Sequence, residues 1–154
     1  MYKNRSQGFT LIELLVVIAI IGILSAVVLA PLNTARSKGS DAAVQSDLKT
    51  VQTQAAIYQN TNNSYNTTGT AISANTLAGC TASGLFADPT VVNALTGVNS
   101  DNNAGGIVCN AASNGSTYMA AGKLVSTSDW FCVDSTGAAT TTATAIADTA
   151  TACP

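Results

Sequence analysis

Residues 9–30, FTLIELLVVIAIIGILSAVVLA, leave this chain little choice of structure. As a helix they rise about 33 Å at 1.5 Å per residue. A bilayer core is about 30 Å thick, so the run is long enough to cross one. It carries one charge, Glu13, and no other occurs from residue 14 to residue 35. An acidic side chain at the centre of a membrane helix costs about 2.5–3.5 kcal/mol, and such residues are functional candidates by default. Glu13 therefore calls for a partner, or for a position that relieves it.

Lys3 and Arg5 precede the run. A basic start suits a secretory signal, but the apolar part of such a signal is about 7–15 residues and ends at a small-residue cleavage site. This run is longer, and cutting at its far end would discard Glu13. A plain anchor explains the length but not the glutamate. A cut after Gly8 accounts for both. It starts the helix at Phe9 with a free amine, and Glu13 lies four residues on, on the same helix face. Amine and carboxylate attract far more strongly in an apolar bundle than in water. A pair formed between neighbouring chains would also set their register, a role buried polar groups are known to play.

The stretch KNRSQGFTLIELLVVIAIIGIL resembles the prepilin leader and N-terminal helix of type IV pilins and related pseudopilins. The pattern is matched at Gly8, Phe9, Thr10, Leu11, Ile12 and Glu13. The resemblance implies cleavage after Gly8 and methylation of the Phe9 amine by a prepilin peptidase. It implies that Glu13 supports methylation and subunit addition, and that the helix loosens between Gly22 and Pro31 in a filament. By their own physics, Gly22 weakens a helix by about 1 kcal/mol and also permits close helix packing. Pro31 removes one helix hydrogen bond and favours a kink. The implied fold is α+β and pilin-like: a long N-terminal helix packed on a small antiparallel sheet with disulfide loops. The expected organisation is a removed leader at 1–8, a transmembrane and assembly helix at 9–31, an amphipathic continuation at 32–60, and a disulfide-stabilised head at 61–154.

Beyond Pro31, apolar residues return as Val44, Leu48, Val51, Ala55 and Tyr58, in steps of four, three, four and three. That spacing defines one helix face, expected to pack on the sheet. Asp41, Gln45, Lys49 and Gln52 are read as lying off it. The segment NTNNSYN at 60–66 should stop the helix, because asparagine competes for the backbone in turns. Residues 67–115 read as a connection of low periodicity, with short helices near 71–78 and 90–95. Residues 117–125 and 130–134 flank the polar turn STSD and predict an antiparallel hairpin.

The four cysteines, Cys80, Cys109, Cys132 and Cys153, form no CxxC pair. Behind an export-type N-terminus they predict two disulfides. Three pairings are possible; the preferred one is Cys80–Cys109 with Cys132–Cys153. The second would tie a loose C-terminus to the last strand, and a C-terminal disulfide loop is frequent in pilins.

Only 9% of residues are charged, and no basic cluster of the kind that tracks phosphates occurs. The chain has no histidine, the commonest general base and metal ligand. Neither catalysis, cofactor nor metal is expected. Asp88, Asp101, Asp129, Asp134 and Asp148 read as turn and cap residues. Asn62, Asn66 and Asn114 stand in N-x-S/T sequons.

The resemblance thus implies a structural subunit of a type IV pilus-like filament. Its partners would be further copies of itself, the prepilin peptidase, the pilus assembly platform and, before assembly, the cytoplasmic membrane. It would end in an extracellular filament. Adhesion, motility or DNA uptake are outputs that no residue specifies. A secretion-system pseudopilin or a minor pilin is the alternative; major pseudopilins usually have Tyr-Pro-Thr after the helix, whereas Ser64-Tyr65-Asn66 has no proline. A monomeric membrane-tethered binding domain is the reading from a different class.

Overall fold

The computed structural model describes residues 8–154, apart from the side chain of residue 30. The leader residues Lys3 and Arg5 lie outside the described residues. The chain divides into two units, one ending at Arg36 and one at Ser37–Pro154.

Helix α1, Leu11–Asn62, contributes to both. It passes Gly22 and Pro31 without a break in helical assignment. In the first unit every described apolar side chain is exposed, from Phe9 through Leu32. This part is long and apolar enough to cross a membrane by length and composition. The helix ends inside the asparagine-rich segment, where Asn63 takes a left-handed φ of 53°. Asparagine tolerates that conformation better than most residues, so it serves as a helix stop.

The second unit is an α+β head. Its order after α1 is β1 Ile72–Ala74, α2 Leu77–Cys80, a 3₁₀ turn at Gly84–Ala87, α3 Pro89–Asp101, β2 Ile107–Ala111, β3 Tyr118–Lys123, β4 Trp130–Asp134 and β5 Ala139–Thr142. The strands form one antiparallel sheet in the order β1-β2-β3-β4-β5. The expected hairpin is β3–β4, with Lys123 opposite Trp130. The helix expected at 90–95 is α3, which is longer. Asp88 caps it by accepting from the Thr90 and Val91 amides at 2.9 and 3.4 Å. The helix expected at 71–78 is not there. Strand β1 occupies that place and only the four-residue α2 follows; Ile72 and Ala74 face the core, which favours pairing with β2.

One sheet face packs on α1 and α3. Val44, Leu48, Val51 and Ala55 are fully buried there, and Tyr58 packs at the edge. Gly122 on β3 lies under this contact; a Cβ would come within 2.6 Å of Val98 and 3.2 Å of Val44. Tyr118 stacks against Tyr65 at 4.7 Å and against Phe86 at 6.5 Å. Leu48→Ala is expected to cost about 2–5 kcal/mol through lost burial and a residual cavity, read as a lower thermal midpoint of the head.

The expectation for Asp41 fails. It is 7% exposed, and lies three residues before Val44, so the same spacing that makes the stripe carries Asp41 onto it. Its carboxylate accepts from the Val125 amide at 2.6 Å, the Ser126 amide at 3.3 Å and the Ser126 hydroxyl. A buried carboxylate is tolerated because the β3–β4 turn supplies its donors.

Residues 143–154 cross the other sheet face as a strap. Ile146 packs on Val108, Met119, Ala121 and Cys132. The Asn110 side-chain amide donates to the carbonyls of Ala147 at 3.4 Å and Ala150 at 2.6 Å.

Candidate functional site

The start of α1 holds the residues singled out by sequence. Thr10 is the cap: its carbonyl accepts from the Leu14 amide at 3.4 Å, and its hydroxyl accepts from the Glu13 amide at 3.3 Å. Glu13 reaches back, and its carboxylate accepts from the Thr10 amide at 2.8 Å and the Thr10 hydroxyl at 2.7 Å. This is a reciprocal capping box, in which a Thr and a Glu three residues on satisfy one another's end of the helix. The negative charge also lies against the positive end of the helix dipole. Thr10 is thus a residue whose structural role the sequence reading missed, although T-x-x-E is its written signature. Phe9, immediately before it, is 87% exposed.

Thr10→Ala is expected to fray the first turn of α1 at a cost of about 1 kcal/mol. Faster hydrogen exchange at Ile12–Leu14 would register it; unchanged protection would mean that Glu13 alone holds the turn.

Gly22 and Pro31 are both helical. A Cβ at Gly22 would meet nothing within 4 Å. Packing inside this single chain therefore does not require glycine there.

The disulfides join Cys80 to Cys109 and Cys132 to Cys153, with Cα separations of 5.3 and 5.8 Å. These are the pairs preferred from the sequence. The first fixes α2 to β2, and the second fixes the strap to β4. Asp134 reinforces the second. Its carboxylate accepts from the Thr136 amide and hydroxyl at 2.8 and 2.6 Å, the Ala138 amide at 3.3 Å and the Cys153 amide at 2.8 Å. Burial pushes its pKa up, but these hydrogen bonds, that of the Thr136 side chain foremost, outweigh burial and leave it below the usual carboxylate value. A lowered folded-state pKa stabilises above the unfolded-state value, near 3.9, and the contribution is lost as pH falls through the folded value. Asp134→Asn should therefore weaken the head at pH 7 and flatten its acid unfolding below about pH 4. An acid profile identical to wild type would exclude this role.

The pKa of Asp47 is raised by burial and then by the neighbouring Asp101 charge. Asp148 accepts from the Asn75 side chain at 3.1 Å. Among the described residues, no group of three potential metal ligands occurs. Of the sequon asparagines, Asn66 is buried. It donates to the carbonyls of Thr70 and Ala112 at 2.6 and 3.1 Å and accepts from Thr68. Its amide is committed to the fold. Asn62 and Asn114 are exposed.

Residues 3–29 match the family model described as the prokaryotic N-terminal methylation motif. The chain is 47% identical over 62 residues to the type IV wide pilus major component of Thermus thermophilus, covering 40% of this chain and 47% of that protein. It is 38% identical over 68 residues to the type II secretion system core protein G of Aeromonas hydrophila, covering 44% of this chain and 48% of that one. The matches thus span about half the length of each relative. No solved structure matches the chain significantly. With the motif at its head, and a long apolar helix and a disulfide-bonded α+β body behind it, the chain resembles type IV pilins and pseudopilins over its N-terminal part.

Proposed function

We propose that this chain is the structural subunit of a type IV pilus-like extracellular filament. A prepilin peptidase cuts after Gly8 and methylates the amine of Phe9. The precursor resides in the cytoplasmic membrane, and the assembly platform moves it into a filament of identical subunits. The observation that carries this reading is the contrast within α1. Its first part exposes every described apolar side chain and bears one fixed carboxylate, whereas its second part buries one face in the head. An all-round apolar helix suits a bilayer and a helix bundle equally, so transfer between them loses little hydrophobic stabilisation.

Cleavage would give Glu13 a cationic partner, the Phe9 amine, beside the neutral Thr10 donors it already holds. Gly22 and Pro31 would be where the helix yields as subunits pack. The disulfide-held head would form the outer surface.

The test is a sheared filament preparation from the native cells. Filaments should be built from residues 9–154 and disappear when the chain is deleted. Filaments that persist unchanged, or that exclude the chain, would refute the reading. The likeness to a type II secretion core protein favours one second reading, a pseudopilin. In that case deletion would stop protein export and leave surface pili intact.

A further inference from the structure

Among the described residues the head sheet is open, so it has two edges: β1 and β5 each have a strand neighbour on one side only. Free edges present unpaired backbone N–H and C=O groups, and proteins usually guard them with charges, proline, bulges or covering loops. Sequence guards are missing here. The β1 edge lies in residues 50–87 and the β5 edge in residues 135–147; neither stretch contains a charged residue or a proline. Asp148 does reach β1, where its carbonyl accepts from the Ser73 hydroxyl and its carboxylate is taken up by Asn75.

The two edges differ in shape. Beside β1 lies a groove of about 230 Å³ whose lining includes Thr70, Ile72, Ser73, Ala74, Gly79 and Ser83. Its walls are neutral and, apart from Ile72, small. They offer nothing to a phosphate or a carboxylate, and they leave room for an extended segment with small side chains. Strand β5, with the sequence ATTT, is such a segment, and Ala139, Thr140 and Thr141 are exposed. Threonine also favours extended pairing. All neighbouring strands are antiparallel and five is odd, so β1 and β5 run in the same direction. Where copies facing the same way meet edge to edge, β5 of one therefore lies parallel to β1 of the next. The contact is heterologous and repeats from copy to copy.

We infer that the β5 edge of one subunit seats in the β1 groove of a neighbouring subunit. This rests on the filament reading. Strands of three and four residues pair weakly, and the contact depends on the helical core holding the copies at high effective concentration.

The chain with Ala71→Cys and Thr141→Cys, co-expressed with wild type, tests this in sheared filaments. Every native cysteine is disulfide-bonded, so a short bismaleimide joins only the introduced thiols. The double variant should give a ladder of multimers on denaturing gels, and each single variant should stay monomeric. No ladder from intact filaments whose new thiols label with a monomaleimide would overturn the inference. Dimers from either single variant would also overturn it, since they mean two-fold pairing of like edges. Absence of wild-type filaments would instead refute the filament reading, and this contact with it. As a second measurement, Thr141→Lys should lower the temperature at which filaments dissociate while leaving the melting of the detergent-solubilised subunit unchanged. Unchanged filament dissociation would count against the contact.

Discussion

Glu13→Ala is expected to leave a stable head in the membrane and to remove the chain from filaments. Glu13 lies in the apolar part of α1, well before the first buried head residue, so the head keeps its core. In an assembled bundle its carboxylate would be desolvated. Removing one partner of a buried ion pair costs about 3–5 kcal/mol, because the other charge is left uncompensated. At about 1.4 kcal/mol per tenfold, that is a loss of about two to three and a half orders of magnitude in incorporation. The measurement is the ratio of variant to wild-type subunits in sheared filaments when both are expressed at equal membrane levels. Glu13→Gln separates charge from capping. Glutamine can still accept from Thr10, so it should preserve the first turn and still fail to assemble. Equal incorporation of Glu13→Ala would leave the carboxylate with only its local capping role.

The second large effect concerns the strap. Replacing both Cys132 and Cys153 by serine opens a loop with a sequence separation of 21. The chain-entropy relation gives about 3 kcal/mol for a loop of this size. For a head of this size the thermal midpoint should fall by on the order of 10 °C. The loss is compounded locally: the amide of Cys153 would leave Asp134, and Ile146 would no longer be held over Val108, Met119 and Ala121. Thermal unfolding in detergent, with the Cys80–Cys109 bond confirmed by mass, would measure it. An unchanged midpoint would mean that the hydrogen bonds to Asn110 hold the strap without the disulfide.

The chain shows which features reach the sequence as a pattern. The stripe at Val44, Leu48, Val51 and Ala55 was legible because that helix has one buried face and one wet face. The hairpin of β3 and β4 was legible from its aromatic and branched residues around a polar turn. Strand β2 was not. IVCNA is buried at all five positions, since α1 covers one face and the strap covers the other. A strand buried on both sides loses the alternation that identifies it. Strands β1 and β5 are three and four residues long, too short for a period to register. Asp41 departs from the usual link between charge and exposure, because its position continues the buried stripe and the β3–β4 turn supplies its donors. At the candidate site, the motif GFTLIE marked Gly8, Phe9 and Glu13 at once. The bond from Thr10 to Glu13 is written in the same six residues, as the T-x-x-E of a capping box.

The central claim is that this chain is made as a prepilin and matured at Gly8. The most direct measurement is intact mass with N-terminal peptide mapping of the protein from its native cells. The account predicts a product that begins at Phe9, carries one methyl group on that amine, and retains two disulfides. A chain that begins at Met1 with an unmodified amine, in cells whose prepilin peptidase is active, would contradict it.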